Sequence, residues 1–165
     1  MRNIRYIVGQ CPLGSVLLAG GDGGVCAILL GDDRDELIGE LQDRFPAAAL
    51  SQGPELERLL SQVVGYIEAP GSGLELPLEV HGTAFQQRVW QALREIPVGT
   101  TASYTDIAAR IGAPKSVRAV AQACAANILA VAIPCHRVVA ADGELSGYRW
   151  GVERKRALLQ REARA

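Results

Sequence analysis

Short β-leaning apolar runs at residues 4–8, 15–19 and 25–30, separated by glycine-rich turns such as Gly20-Gly21-Asp22-Gly23-Gly24, predict a small antiparallel sheet. The period then changes. Leu37, Ile38, Leu41 and Phe45 recur at helical spacing, and Leu56, Leu59, Leu60, Val63, Val64 and Ile67 stand at i, i+3, i+4, i+7, i+8 and i+11, so two helices follow the strands. Ala69-Pro70-Gly71-Ser72-Gly73 breaks that pattern and sets the boundary between an N-terminal α/β lobe, residues 1–74, and a C-terminal lobe, residues 75–165.

The second lobe reads as helical. Thr83 and Gln86 form a capping box before Phe85, Val89, Leu93 and Ile96, and Pro97 with Gly99 ends that helix. Ser103 with Asp106 opens another, running to Ile111. After the turn Gly112-Ala113-Pro114-Lys115, Ser116 can cap a third helix reaching Ala126. Two short helices joined by a tight glycine-containing turn are the layout of a helix-turn-helix. A last helix over 152–163 offers Val152, Ala157, Leu158 and Leu159 to the core and is otherwise charged. The fold class is therefore α/β: an N-terminal lobe with a small antiparallel sheet and helices, and a helical C-terminal lobe.

Composition changes this picture little, because 165 residues at 48% hydrophobic and 21% charged describe an ordinary globular chain. Charge changes it more. The net of −1 hides a split: residues 1–81 carry 5 Lys+Arg against 12 Asp+Glu, a net of −7, and residues 82–165 carry 12 against 6, a net of +6. Such an excess either neutralises a polyanion or simply solvates its lobe. The most membrane-like stretch, residues 119–135, contains Gln122, Asn127 and Pro134 and is shorter than a spanning helix, so it reads as buried core with no membrane partner. Cys11, Cys26, Cys124 and Cys135 form no C-x-x-C, and no signal-like segment opens the chain, which points to reduced thiols in a cytoplasmic protein.

Chemistry concentrates at Ile133-Pro134-Cys135-His136-Arg137-Val138-Val139, where a cysteine adjoins the only histidine of the basic lobe. A free thiol is only a few per cent thiolate at neutral pH, so a useful nucleophile needs a neighbouring base or cation. Spacing alone leaves two readings open, a buried inert cysteine or an activated one.

Pro134-Cys135-His136-Arg137-Val138, preceded by Ser103-Tyr104, Arg118-Ala119-Val120 and Asn127 and followed by Gly147-Tyr148, resembles the O6-alkylguanine-DNA alkyltransferases over essentially the whole chain. The resemblance implies a suicide repair protein: a thiolate takes the alkyl group from O6 of guanine, or O4 of thymine, in duplex DNA and is permanently alkylated. It implies no cofactor and a monomer acting on double-stranded DNA, in the cytoplasm of a bacterium or the nucleus of a eukaryote. Cys135 would be the nucleophile, His136 the base acting through a water, and Glu162 the carboxylate that polarises it. Asn127 would be the hinge between recognition helix and active-site loop; without the resemblance it reads equally well as a helix cap. Tyr104 would give its phenolic proton to the departing guanine, and otherwise reads as a core aromatic.

An alkylated base inside the stack cannot meet a thiol, so the nucleotide must be flipped out. Arg118 matches the arginine that fills the gap, although an arginine early in a helix is usually just solvated. Ala119, Ala121 and Ala123 would be the small residues that let the recognition helix approach DNA. Val138 through its carbonyl, Tyr148, the backbone at Arg149 and Lys155 would form the base pocket.

Three departures from the family pattern stand out. Ile128 and Ala130 replace prolines after the hinge. Trp150 stands where relatives with roomy pockets carry glycine, which makes it either a pocket wall or an outward ring packed on the last helix. Gly21 and Cys26 fall where some relatives hold a structural zinc, so no metal is expected, and Cys11, Cys26 and His81 read as structural. Two rivals are a non-catalytic binder of damaged DNA on the same fold and a thiol hydrolase using Cys135 and His136. Cys135 counts against the first; the absence of an oxyanion-hole motif counts against the second.

Overall fold

The computed structural model describes residues 2–165, which divide into two compact units, one ending at Glu79 and the other spanning Val80–Ala165. The division falls five residues beyond the glycine-proline boundary. The intervening segment belongs with the first unit, because Val25 donates to the Pro77 carbonyl at 2.7 Å and Glu79 donates back to Val25 at 2.8 Å.

In the first unit β1 (Asn3–Cys11), β2 (Gly14–Gly21) and β3 (Gly24–Gly31) form the expected antiparallel meander. A fourth strand, β4 (Ala49–Gln52), joins the far edge of β1 in parallel, so the sheet is mixed and ordered β3-β2-β1-β4. Residues 15–20 and 25–30 are buried on both faces, which explains why they read as continuous apolar runs and not as an alternation. Helix α1 (Arg34–Arg44) starts where the Asp33 side chain accepts from the Asp35 amide, and it packs on β2 and β3 through Leu37 and Leu41. Helix α2 (Glu57–Glu68) lays Leu60, Val63, Tyr66 and Ile67 against β1 and β2. Gly9 permits that approach: a β-carbon there would come within 2.8 Å of Leu60 Cδ2.

The second unit packs α3 (Ala84–Arg94), α4 (Tyr104–Arg110) and α5 (Val117–Ala126) against one another. The expected capping box of Thr83 with Gln86 forms, and Ser103 with Asp106, expected to open a helix, also closes one; each satisfies two amides that a helix start otherwise leaves open. Ser116 takes the N-cap position of α5 without a side-chain hydrogen bond, so it does not cap in the way expected. Gly112, at φ +77, makes the turn between α4 and α5. Trp90 of α3 buries its indole and donates to the Ala123 carbonyl of α5 at 2.9 Å.

A two-residue parallel pair, β5 (Ala102–Ser103) with β6 (Val138–Val139), joins the start of α4 to the chain just after Cys135. Helix α6 (Val152–Ala163) closes the unit, but its inward residues are Lys155, Leu158 and Glu162. Val152 is 37% exposed, contrary to the core role expected of it, while Ala157 and Leu159 are half-buried. The inward stripe follows i, i+3, i+7 with charged residues at both ends, so an apolar pattern could not reveal it. No helix of the described residues is long and apolar enough to cross a membrane.

Candidate active site

Between α5 and β6 the chain makes tight turns. Asn127 ends α5 with extended backbone, Ile133 donates to the Leu129 carbonyl, and Cys135–Arg137 forms a single 3-10 turn that leads into β6. Val131, buried and β-branched, sits at φ +61, a left-handed conformation that such a residue adopts only where its surroundings impose it. Asn127, 1% exposed, fixes this loop from inside. Its Oδ1 accepts from the Leu129 amide at 2.8 Å, and its Nδ2 donates to the Ile133 carbonyl at 2.9 Å and to Cys135 Sγ at 3.3 Å. The asparagine thus both staples the loop and gives the sulfur a donor.

Behind the thiol lies a buried charged array. His136 Nε2 meets Glu162 Oε2 at 2.6 Å, and Arg137 donates to both carboxylate oxygens at 2.9 Å and to the Ile96 carbonyl at 2.7 Å. The bidentate arginine is the strong form of this pairing. Burial by itself would raise the Glu162 carboxyl, but the hydrogen bonds from His136 and Arg137 outweigh it and hold the group at about 2. Burial pushes the His136 imidazole below its ordinary value, so it is neutral at rest and can take a proton. Among the described residues His136 Nδ1 has no hydrogen-bond partner.

The thiol itself is not pre-ionised. Burial drives Cys135 up to about 11, against the lowering effects of the Asn127 hydrogen bond and the Lys155 charge, and Cys124 rises to about 12 for the same reason. Burial thus favours the neutral thiol, and a base placed to take its proton would offset that cost.

Cys135 lines a cavity of about 410 Å³ together with Tyr104, Ala121, Cys124, Ser146 and Tyr148 and with residues 125, 147 and 149. Tyr104, the first residue of α4, places its hydroxyl 2.7 Å from Ser146 Oγ. Lys155 Nζ approaches Ser146 Oγ at 3.5 Å and the Gly147 carbonyl at 3.4 Å, and lies 6.0 Å from the Tyr104 ring centre. Arg149 donates to the Ala125 carbonyl at 3.1 Å, which ties the pocket loop to the end of α5.

Several expected residues fall elsewhere. Trp150 is 4% exposed and stacks edge-on behind Tyr148, with ring centres 5.3 Å apart, so it backs the pocket residue and does not line the cavity. Val138 is fully buried in β6 opposite Ala102, also outside the lining. Ala123, 2% exposed, faces the interior beside the Trp90 bond and cannot be a surface that approaches DNA. On the outer side of α5, Arg118 and Gln122 are exposed and Ala119 and Ala121 half-buried, with Lys115 exposed in the turn before it. Sequence alone assigns no role to Arg137, Cys124 or Ser146. Arg137 was within reach, since it stands in the cysteine-histidine motif; nothing local marked the other two.

The comparisons with known proteins agree with this geometry. Residues 84–164 match the model of the 6-O-methylguanine DNA methyltransferase, DNA binding domain. The inducible methylated-DNA--protein-cysteine methyltransferase of Bacillus subtilis is 43% identical over 132 residues, 79% of this chain and 74% of that protein. The bifunctional transcriptional activator/DNA repair enzyme Ada of Escherichia coli is 55% identical over 161 residues, which is 97% of this chain. The chain spans 46% of Ada's length. The crystal structure of Mycobacterium tuberculosis OGT in complex with DNA superposes with a TM-score of 0.78 at 36% identity, covering 98% of this chain and 93% of that one. The chain belongs to the O6-methylguanine DNA methyltransferase family, the methylated-DNA--protein-cysteine methyltransferases.

Proposed function

We propose that this chain repairs duplex DNA by moving the alkyl group from O6 of guanine, and from O4 of thymine, onto Cys135, once per molecule and irreversibly. The observation that carries the reading is the placement of Cys135 in the cavity wall beside α5, with its chain neighbour His136 bonded to the buried Glu162. Arg118 enters the stack as the damaged nucleotide swings into the cavity. Cys135 Sγ attacks the alkyl carbon: the S–C bond forms, the C–O bond breaks, and its electron pair passes to the guanine ring, which takes a proton from Tyr104. The thiol proton goes to His136 Nδ1 through a water, and Glu162 holds the resulting imidazolium. Asn127 keeps the sulfur aimed. The chain acts as a monomer, without a cofactor, in the cytoplasm of its host.

The test is stoichiometry and position. Incubated with duplex DNA carrying tritiated O6-methylguanine, the protein takes up about one label per chain and then stops, as a suicide acceptor must. Peptide mass spectrometry places the methyl group on the peptide containing Cys135, and Cys135→Ala takes up none while still binding DNA. Label on Cys124, or methanol released to solution, overturns the reading.

A further inference from the structure

We propose that Ser146 is a positioning residue for this reaction: it relays a hydrogen bond from the buried Lys155 ammonium to the Tyr104 hydroxyl, leaving the phenol's own proton directed at the base. The inference rests on the alkyl-transfer reading above. Lys155 is fully buried and has no carboxylate partner among the described residues; its polar contacts are Ser146 Oγ and the Gly147 carbonyl. An ammonium can only donate, so Ser146 Oγ accepts from it and keeps one proton of its own to give. The acceptor within reach is the Tyr104 hydroxyl at 2.7 Å. Tyr104 then accepts from Ser146, and its proton is free for the cavity that both residues line. All donors in this chain run in one direction, so each bond polarises the next.

The proton count closes. When the C–O bond breaks, the guanine ring takes the Tyr104 proton; the phenolate left behind accepts from Ser146 beside the Lys155 charge until solvent returns a proton. The Cys135 proton leaves separately through His136. The titratable groups facing Tyr104 are Lys155 from α6, Cys124 from α5 and Cys135 from the 3-10 turn. Burial pushes both thiols up and favours their neutral forms, so the cation beside Tyr104 is Lys155, whose own titration burial lowers, with Arg149 also lining the cavity.

Single-turnover methyl transfer from an O6-methylguanine duplex, followed from pH 6 to 10.5 so that the onset of the Tyr104 limb is reached, alongside DNA affinity, tests the relay in Ser146→Ala, Ser146→Thr, Tyr104→Phe and the Ser146→Ala/Tyr104→Phe double variant. Ser146→Ala should slow transfer about tenfold, at the lower end of what general acids contribute, with affinity unchanged. Its alkaline limb should move to higher pH, because the phenol has lost the donor that favours its ionised form. Ser146→Thr keeps the hydroxyl and should recover most of the rate. In the Tyr104→Phe background Ser146→Ala should cost nothing further, since the serine acts only through the tyrosine. A wild-type rate in Ser146→Ala, equal slowing in both backgrounds, or a Thr variant as slow as the Ala variant overturns the relay. Tyr104→Phe at the wild-type rate removes the relay and leaves alkyl transfer standing, whereas a wild-type protein that transfers nothing removes the function itself.

Discussion

The two units spend their interiors differently. Among the described residues, buried side chains of the first unit are apolar apart from Ser15, whereas the second buries Asn127, His136, Arg137, Lys155 and Glu162. Of these five, Asn127 bonds Cys135 directly, His136 and Arg137 adjoin it in the chain and share Glu162, and Lys155 reaches the cavity wall at Ser146. Burying ions is costly, and an apolar replacement of similar volume is often as stable. The first unit therefore shows an interior built for stability alone, and the second shows what is given up to hold polar and charged groups around Cys135. The strained Val131 belongs to the same side of the comparison.

Breaking the array should have the largest effect. Glu162→Ala leaves the Arg137 and His136 groups buried without their carboxylate, and the expected loss is about 3–5 kcal/mol of unfolding free energy together with most transfer activity. Urea denaturation and single-turnover transfer measure the two. The pH dependence has a definite sign. Because Glu162 is held at about 2 in the folded protein, its contribution is complete above the ordinary carboxylate range near 4.5 and disappears as pH falls through 2. His136, depressed by burial, works in the same direction, since below about 6.5 the unfolded chain gains a proton that the folded one resists. Glu162→Gln should flatten the stability curve between pH 4.5 and 2; an unchanged slope there would detach the acid sensitivity from this carboxylate.

Trp150→Ala comes next. The ring is 4% exposed and supports Tyr148 from behind, so its removal should cost about 3–5 kcal/mol. Its effect on substrate range should be indirect: Tyr148 gains room to retreat, and inactivation by free O6-benzylguanine should rise while methyl transfer persists. A stable variant with a wild-type response to the benzyl compound would show that Trp150 neither packs as described nor shapes the pocket.

Leu18→Ala sharpens the contrast from the other side. Leu18 is wholly buried in β2, the strand between β1 and β3, and its truncation should cost about 2–5 kcal/mol. Transfer per folded molecule should stay at the wild-type rate, because no residue of the candidate site lies in that unit. A slower rate in fully folded protein would show that the sheet shapes the site after all.

What was legible in the sequence follows the same division. The first three strands and the helices after them stood out because apolar period and burial coincide there. Strand β4 did not, since its four residues are half-buried or exposed and sit at a sheet edge. In the second unit the caps and the helix-turn-helix were readable from local chemistry, whereas the cysteine-histidine motif alone left an inert cysteine open and became the candidate site only through the resemblance. The inward face of α6 was not readable from its apolar pattern: Lys155 and Glu162 entered the site only through the resemblance, because charges on a helix otherwise read as solvent-facing. Trp150 was left between a pocket wall and an outward ring because the sequence around it is loop-like and fixes no face, and the irregular chain instead turns the indole inward behind Tyr148. Ser146 had no signal at all, since a serine in a glycine-containing loop is ordinary turn composition.

The smallest effect on stability should come from Arg118→Ala, and it separates function from folding most cleanly. Arg118 is the second residue of α5 and is exposed, so its removal should change the unfolding free energy by no more than about 0.5 kcal/mol. Its effect on repair depends on the substrate. From duplex DNA, where the damaged nucleotide must leave the stack and the gap must be filled, transfer should fall steeply. From the free modified base, which needs no extrusion, it should remain near the wild-type rate, because no atom of Arg118 lines the cavity. Lys115→Ala in the preceding turn is the control for charge: losing one phosphate contact should weaken DNA binding and its salt dependence without this split between substrates. Equal losses on both substrates would make Arg118 part of the pocket's geometry, and equal losses for Lys115 and Arg118 on duplex would reduce it to one more cation on a basic surface.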